Sequence, residues 1–197
     1  MAKAEIFLDG RRVNDNEQCF VIAELGHNHG GKFNAARAMV LQAAAAGVDC
    51  VKLQKRDNET LYSKEILSAP YLGENSYGRT YGEHRAKLEL GEQDYVGLQA
   101  VAKVAGVTLA ATAFDERSAD FLLRLGVPVL KLASSSLVDG ALLRHVRSTG
   151  RPLIVSTGGG TWNDVDRAVD TLSGGQSPFA LLHCTAAYPV RSYADLN

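Results

Sequence analysis

Two lysines stand inside strongly apolar stretches of this sequence and indicate a binding site for an anion. Lys52 lies in the run VDCVKLQ and Lys131 in the run VPVLKLAS. Because an isolated buried ammonium is very costly, each must be paired or must receive an anion from outside. The hydroxyls of Thr112, Ser134 and Ser156 stand at equivalent ends of neighbouring runs. Together these groups suit a ligand that carries both a carboxylate and a phosphate.

Two further features surround this predicted anion pocket. The stretch STGGGTWND offers backbone N–H groups at the start of a helix, with Thr161 or Asn163 as its cap. Glu24 ends the apolar run FVIAEL and is expected to face the same pocket. One reading makes it the neutralising partner of Lys52, and another makes it a proton donor or acceptor beside the bound anion. The two roles are compatible.

The elements that position these residues follow a repeating pattern. Short apolar runs alternate with amphipathic stretches that mostly end in Gly, which predicts strands and helices in turn and therefore a parallel sheet. Polar residues follow the runs at their C-terminal ends, as at the catalytic face of a (β/α)8 TIM-barrel. Only about six such units are found, whereas a closed barrel needs about eight. The runs are CFVIAEL, VDCVKLQ, VTLAATAF, VPVLKLAS, RPLIVSTG and FALLHCTA.

The predicted organisation has an N-terminal β-hairpin, residues 1–19, before an incomplete catalytic barrel, residues 20–197. The hairpin prediction rests on AEIFLDGRRV, which alternates around an Asp-Gly turn. Residues 56–87 form too long a connection for an ordinary strand-to-helix loop, so we expect a lid over the catalytic face.

The composition of the chain argues against several classes of binding partner. The chain has 197 residues, 46% of them hydrophobic, and a formal charge of −1. Without a basic run, nucleic acid and acidic lipid are not favoured partners. No apolar run approaches the roughly 20 residues of a membrane span, so we expect a cytoplasmic protein. Three dispersed cysteines fit reduced thiols.

Seven motifs, spread over residues 20–190, make the chain similar to the sialic acid synthase family, which includes legionaminate-type and spore-coat polysaccharide synthases. This resemblance implies a (β/α) barrel that condenses phosphoenolpyruvate with N-acetylmannosamine or a related 2-acetamido sugar. The products would be a nine-carbon 2-keto sugar acid and phosphate, with metal-assisted addition of water at C2. The motifs are AELGHNHGG, VDCVKLQK, YGEHRAKLEL, ATAFDE, VLKLASSS, IVSTGG and LLHCTAAYP.

The resemblance also implies a role for each matching residue. On the carboxylate side of phosphoenolpyruvate it places Lys52, Thr112 and Lys131, and on the phosphate it places Ser134 and Ser156. Glu24 would be catalytic. The acceptor sugar would be addressed by Gln54, Tyr188 and, from the lid, Asn75.

Three departures from the family pattern bear on these roles. Ser136 stands where relatives often have an acidic residue, so an acid/base group is lost or replaced. Ala186 stands where some relatives have an asparagine that contacts phosphate. The divalent cation that the resemblance implies, Mn²⁺ or Mg²⁺, would be held by histidines on two further strands. We therefore expect no metal site within this chain and no turnover from it alone. The resemblance also implies a C-terminal antifreeze-like domain, which we do not expect among these residues, and a homodimer of the full-length protein.

Rival readings remain open. His27 and His29 with Lys131 and His183 resemble the metal ligands of an amidohydrolase-type barrel. Against this reading, the run IVSTG supplies no histidine, and Gly26 places His27 and His29 in a loop instead of on the strand. In the synthase-like reading, His29 would shape this loop near the substrate and His27 would face solvent. A class I aldolase would use Lys131 as a Schiff-base former. A non-catalytic barrel fragment with exposed sheet edges is the third alternative.

Overall fold

A computed structural model describes residues 4–187, 189–192 and 194 of the chain. It has an antiparallel pair of strands followed by a parallel sheet with helices between its strands. The strands are β1 Glu5–Leu8, β2 Arg11–Asn14, β3 Ile22–Gly26, β4 Cys50–Lys55, β5 Thr108–Ala113, β6 Leu130–Leu132, β7 Leu153–Ser156 and β8 Phe179–Leu182. The helices are α1 Phe33–Ala45, α2 Asn58–Leu61, α3 Lys64–Ser68, α4 Tyr81–Leu88, α5 Glu92–Ala105, α6 Glu116–Arg124, α7 Gly140–Val146 and α8 Trp162–Ser173.

The predicted N-terminal hairpin is present. Asp9 and Gly10 have φ angles of 51° and 80°, both in the left-handed region that a two-residue turn between β1 and β2 requires. Along β1 the side chains alternate between exposed and buried, so that Ile6 and Leu8 point into the molecule. The hairpin therefore presents an apolar face to the rest of the fold.

The six apolar runs form one parallel sheet in chain order, from β3 to β8. In parallel strands, alternate side chains point to opposite faces. One face, which we call the outer face, carries Val51, Leu53, Ala111, Leu132 and Val155 and packs against the helices. The sheet and helices confirm the α/β prediction. Closure into a barrel stays a prediction, because these strands form an open sheet.

The opposite face of the sheet, which we call the inner face, has no helices over it in the described chain. Its lower layer, toward the N-terminal ends of the strands, is apolar and packs against the hairpin residues Ile6 and Leu8. The lower layer comprises Cys50, Ala110, Val129 and Ile154. The hairpin thus covers one end of the inner face and leaves the other end for polar residues.

The long connection after β4 contains three short helices, α2 to α4. An isolated bridge between Pro70 and Thr80 and a capping box at Thr80 and Glu83 organise it. Throughout the described residues, no helix combines the length and apolar character needed to cross a membrane.

Candidate functional site

The upper layer of the inner face gathers the polar strand-end residues that the sequence predicts. Four of them, Lys52, Thr112, Lys131 and Ser156, each lie two residues beyond an apolar residue of the lower layer. Gln54 lies two residues beyond Lys52 on β4. Register pairs Glu24 with Lys52, Gln54 with Thr112, and Thr112 with Lys131 on neighbouring strands. The sheet therefore brings these side chains to one edge, as the sequence indicates.

Lys52 is almost completely buried and fully partnered. It is 4% exposed, and its Nζ lies 2.9 Å from Glu24 Oε2. The same ammonium donates a hydrogen bond to Thr112 Oγ1 at 2.6 Å. The reading of Glu24 as the neutralising partner of Lys52 is thus what the structure shows.

Lys131 is also buried, but no carboxylate contacts it among the described residues. Its ammonium donates to the Leu132 carbonyl at 2.9 Å and to the Ser156 hydroxyl. Burial, and next the positive charge of Lys52, lowers the pKa of Lys131 to about 8. Lys52 and Lys131 lie on the same face of the sheet, on the strands on either side of β5, and of the two only Lys52 forms an ion pair within the described residues.

Glu24 combines an ion pair with access to solvent. Its side chain is 61% exposed, although it reaches Lys52. A carboxylate that is held at one oxygen and open on the other side can exchange protons with a bound ligand. The geometry permits the acid/base role as well as the neutralising one.

The loop after β7 approaches Ser134 very closely. The backbone N–H of Gly158 donates to Ser134 Oγ at 3.1 Å. A Cβ on Gly158 would lie 2.9 Å from the same oxygen and 3.2 Å from the Cβ of Cys184, so only glycine fits without displacement. Helix α8 then begins with Thr161, which forms a capping box with Asp164. Of the two predicted caps, Thr161 is the one used.

Gln54 joins a second group of polar side chains at the rim of the site. Its Oε1 accepts a hydrogen bond from Arg56 Nη1 at 2.8 Å. The guanidinium of Arg56 lies over the Phe114 ring, 3.5 Å from its centroid, and 3.4 Å from His27 Nε2. Burial, and next the charge of Arg85, lowers the pKa of Arg56. Sequence reasoning missed both arginines, although Arg56 directly follows β4 and Arg85 lies in the YGEHR motif.

His27 does not face solvent as expected. Its side chain is 11% exposed and lies 3.6 Å from Glu89 Oε1. Burial, followed by the charges of Arg56 and Arg85, lowers the pKa of His27 to about 3. The imidazole is therefore neutral near pH 7, and its contact with Glu89 is not an ion pair. The expectation was wrong because residues far along the chain cover this loop.

Of the predicted sugar-binding residues, Asn75 is not brought to the site. Asn75 is exposed and lines a cavity of about 270 Å³ formed by its own segment, residues 71–76. No contact of Asn75 with Glu24 or Gln54 occurs in the described structure. Tyr188 lies outside the described residues.

The histidines do not gather into a metal site. Within residues 4–187, 189–192 and 194, no three His, Cys, Asp or Glu side chains are placed to hold a metal ion. His183 is exposed, and His145 contacts Asp120 at 2.7 Å on the helical surface. His84 lies in α4 and is 8% exposed. The amidohydrolase reading gains no support from this arrangement.

Cavities of about 480, 350 and 100 Å³ lie away from the lysine pair. The largest is lined by Lys55, Arg56, Arg117 and Arg124 beside the starts of α5 and α6. The 350 Å³ cavity lies beside the hairpin. These three cavities do not enclose Lys52 or Lys131.

A sequence profile described as the NeuB family matches residues 39–197. The chain belongs to the NeuB family. N,N'-diacetyllegionaminic acid synthase of Legionella pneumophila is 40% identical over 185 residues, 91% of this chain and 52% of that protein. N-acetylneuraminate-9-phosphate synthase of Drosophila melanogaster is 38% identical over 174 residues, 88% of this chain and 47% of that protein.

The fold supports the same relationship. A crystal structure of N-acetylneuraminic acid synthetase from Leptospira borgpetersenii aligns with a TM-score of 0.79 at 30% identity. The alignment covers 99% of this chain and 64% of that one. This NeuB chain spans about half the length of the curated relatives it matches. Its relatives are synthases of sialic acid and related sugar acids.

The departures from the family pattern also have positions in this NeuB chain. Ser136 is 5% exposed and ends a 3-10 turn, Ser134–Ser136, after β6. A Cβ on Gly158 would lie 3.5 Å from the Cβ of Ala186, so Ala186 borders the loop that approaches Ser134.

Proposed function

We propose that this NeuB chain is the substrate-binding part of an enzyme that condenses phosphoenolpyruvate with a 2-acetamido sugar. N-acetylmannosamine or a related sugar is the acceptor, and the products are a nine-carbon 2-keto sugar acid and phosphate. One observation carries the proposal: two buried lysines lie on the same face at the strand ends, and only Lys52 has a carboxylate partner among the described residues. Lys131 lacks the negative charge that an anionic substrate would bring.

Each group in the upper layer has a binding role in this proposal. Lys131 and Lys52, with Thr112, hold the carboxylate of phosphoenolpyruvate. Ser156 and Ser134 hold its phosphate. Both lysines are preorganised by hydrogen bonds to hydroxyl groups, so little reorganisation is needed when the anion binds.

The reaction balances when both protons of one water molecule are transferred. C3 of phosphoenolpyruvate forms a bond to the aldehyde carbon of the open-chain sugar, and water adds at C2. One proton of that water goes to the aldehyde oxygen. The other leaves with the phosphate as the C2–O bond to phosphate breaks and C2 becomes a ketone. In this proposal Glu24 transfers the first of these protons, since its carboxylate is accessible and contacts Lys52.

A divalent cation, Mn²⁺ or Mg²⁺, belongs to the proposal through the resemblance alone. The described side chains do not fit such an ion, because they include no group of three potential ligands. Its ligands would have to come from strands beyond β8. We assign it no step here.

The test is an assay of phosphate release from phosphoenolpyruvate with a panel of 2-acetamido sugars, with and without added Mn²⁺. The full gene product should release phosphate only when an acceptor is present, and Lys131→Ala should abolish the release. The 197-residue chain alone is expected to release none. Release that depends on neither the sugar nor Lys131 would end the proposal.

A class I aldolase is the second candidate, and the lowered pKa of Lys131 favours it. A neutral amine near pH 8 can form a Schiff base with a keto acid. Borohydride trapping with pyruvate distinguishes the two. The synthase proposal predicts no labelled Lys131, and a trapped adduct would favour the aldolase.

By the same resemblance we propose that the full-length enzyme is a cytoplasmic homodimer whose partners are small-molecule substrates. Size-exclusion chromatography with light scattering tests the dimer. A monomeric mass would contradict it.

A further inference from the structure

The loop after β3, residues 27–32, contains a glycine pair that the proposed function does not explain. Gly30 and Gly31 have φ angles of 59° and 70°, in the left-handed region that favours glycine. A Cβ on Gly30 would lie 2.9 Å from the Tyr77 hydroxyl oxygen, and a Cβ on Gly31 would overlap the Lys87 carbonyl oxygen. Both of these neighbours belong to the long connection after β4. The glycine pair therefore lets that connection pack directly on the loop.

His84, on α4, holds the backbone beside this contact. Its Nδ1 accepts a hydrogen bond from the backbone N–H of Tyr77 at 3.2 Å. The imidazole also packs against three tyrosine rings, with centroids 4.4, 5.8 and 6.4 Å away: Tyr71, Tyr77 and Tyr81. Because a nitrogen that accepts a hydrogen bond carries no proton, this geometry requires the neutral tautomer with its proton on Nε2.

The groups around His84 favour its neutral form. Burial, and next the charge of Arg85, lowers the pKa of His84. Glu83 precedes it on α4, but the Glu83 carboxylate accepts from the Arg79 backbone N–H at 2.7 Å. Among the described residues no carboxylate forms an ion pair with the His84 imidazole, so protonation gains no partner. Four further charged side chains on α2, α3 and α4 are exposed to solvent: Glu59, Lys64, Glu65 and Lys87.

The segment that carries Tyr77 is a surface loop. Residues 72–78 contain no helix or strand, and Leu72 among them is 85% exposed. Surface segments with few buried contacts open at a lower free energy than the sheet does. The hydrogen bond from Tyr77 to His84 joins this loop to α4, so its loss frees the Tyr77 ring from Gly30.

We propose that Tyr77 and His84 are positioning residues, which fasten the long connection onto the loop after β3 while the His84 imidazole is neutral and release it when the imidazole is protonated. A protonated Nδ1 turns its own N–H toward the N–H of Tyr77, so repulsion replaces the hydrogen bond. The loop follows the strand that carries Glu24, and its release lowers turnover. This last effect rests on the proposed function, whereas the pH-dependent release does not.

Hydrogen exchange of the full gene product, resolved to the Tyr77 amide by mass spectrometry with electron-transfer fragmentation, tests the release. After correction for the intrinsic pH dependence of exchange, protection of this amide should fall about 5- to 10-fold from about pH 7 to about pH 5, the usual effect of losing one hydrogen bond. His84→Asn keeps an acceptor near the position of Nδ1 but cannot titrate, so its protection should stay constant. His84→Leu, without an acceptor, should show low protection at both pH values.

The pH profile of kcat/KM separates positioning from a merely structural role. From about pH 7 to about pH 5 the wild type should lose about 5- to 10-fold more kcat/KM than His84→Asn does, because only the wild type loses the hydrogen bond. Tyr77→Ala should be impaired at both pH values. His145→Asn, on the surface of α7, should follow the wild-type profile.

The outcomes separate this inference from the proposed function. Protection of the Tyr77 amide that does not change with pH, or that falls equally in wild type and His84→Asn, overturns the release. Identical kcat/KM profiles in these two proteins overturn the positioning role. If the variants do not fold, NMR of the wild-type imidazole decides, since a proton on Nδ1 near pH 7 contradicts the proposal. Absence of phosphate release with every sugar refutes the synthase, while the exchange experiment still tests the release.

Discussion

Two layers of the same inner sheet face differ sharply although only two residues separate them along each strand. The lower layer, with Cys50 and Ile154, packs on the hairpin and is apolar. The upper layer, with Lys52, Lys131 and Ser156, is buried but polar. The lower layer, which the hairpin covers, stabilises the fold through apolar burial. The upper layer holds buried charge, which lowers the stability of the fold.

The largest effect should come from the hairpin side of the lower layer. Leu8 is 3% exposed and packs against that layer, so Leu8→Ala should cost about 3 kcal/mol through lost burial and a residual cavity. Urea denaturation measures the change. Turnover per folded molecule should remain, because no residue of the upper layer is altered.

A control for this prediction lies on the same strand. Phe7 points to the other side of β1 and is 51% exposed, so Phe7→Ala should change stability far less. Equal losses from the two variants would show that the hairpin does not seal the lower layer.

His27, at the rim of the upper layer, should make the free energy of unfolding depend on pH. The pKa of His27 is about 3 in the folded protein, below its ordinary value of 6.5. As the pH falls through about 6.5, the unfolded state binds a proton that the folded state does not, so stability falls. The loss from this group should reach about 2 kcal/mol near pH 5.

His27→Gln removes this titration and isolates it from other groups. The difference in unfolding free energy between wild type and variant should shift by that amount between about pH 7 and about pH 5. Parallel pH curves would mean that His27 is not buried beside the arginine pair.

Local sequence patterns predicted the hairpin and the strands of the sheet well. The hairpin followed from Asp9 and Gly10, whose φ angles are positive as the turn requires, and the strands followed from apolar runs. Placement of Lys52 and Lys131 on one face of the sheet followed from the periodicity of strands, because alternate side chains of a strand point to the same face.

The rim could not be predicted in this way. His27 is covered by Arg56 and Glu89, which are distant from it in the sequence. His84 is likewise buried among lid tyrosines, 4.4 Å from the Tyr71 ring centroid. Contacts between distant segments leave no periodic signal, so burial in loops is beyond local pattern reasoning.

The smallest expected change in stability comes from substitution of Lys131, and it is a gain instead of a loss. Its pKa of about 8 lies below the ordinary 10.5, which means that the folded protein disfavours the charged form. Lys131→Met keeps the length and apolar stem, so it should raise stability by about 1 to 2 kcal/mol near pH 7 while abolishing phosphate release. Urea denaturation and the release assay measure the two effects.

The pH dependence of that gain tests its cause. Between about pH 8 and about pH 10.5 the unfolded state holds a proton on Lys131 that the folded state has lost, so the wild type becomes relatively more stable. The advantage of Lys131→Met should therefore shrink across this range, whereas Lys103→Met, at an exposed position on α5, should show no such trend. A variant less stable than the wild type near pH 7 would mean that Ser156 and the Leu132 carbonyl already compensate the charge. In that case the Lys131 ammonium would need no bound anion. The two layers would then differ in polarity, but the polar layer would not lower the stability of the fold.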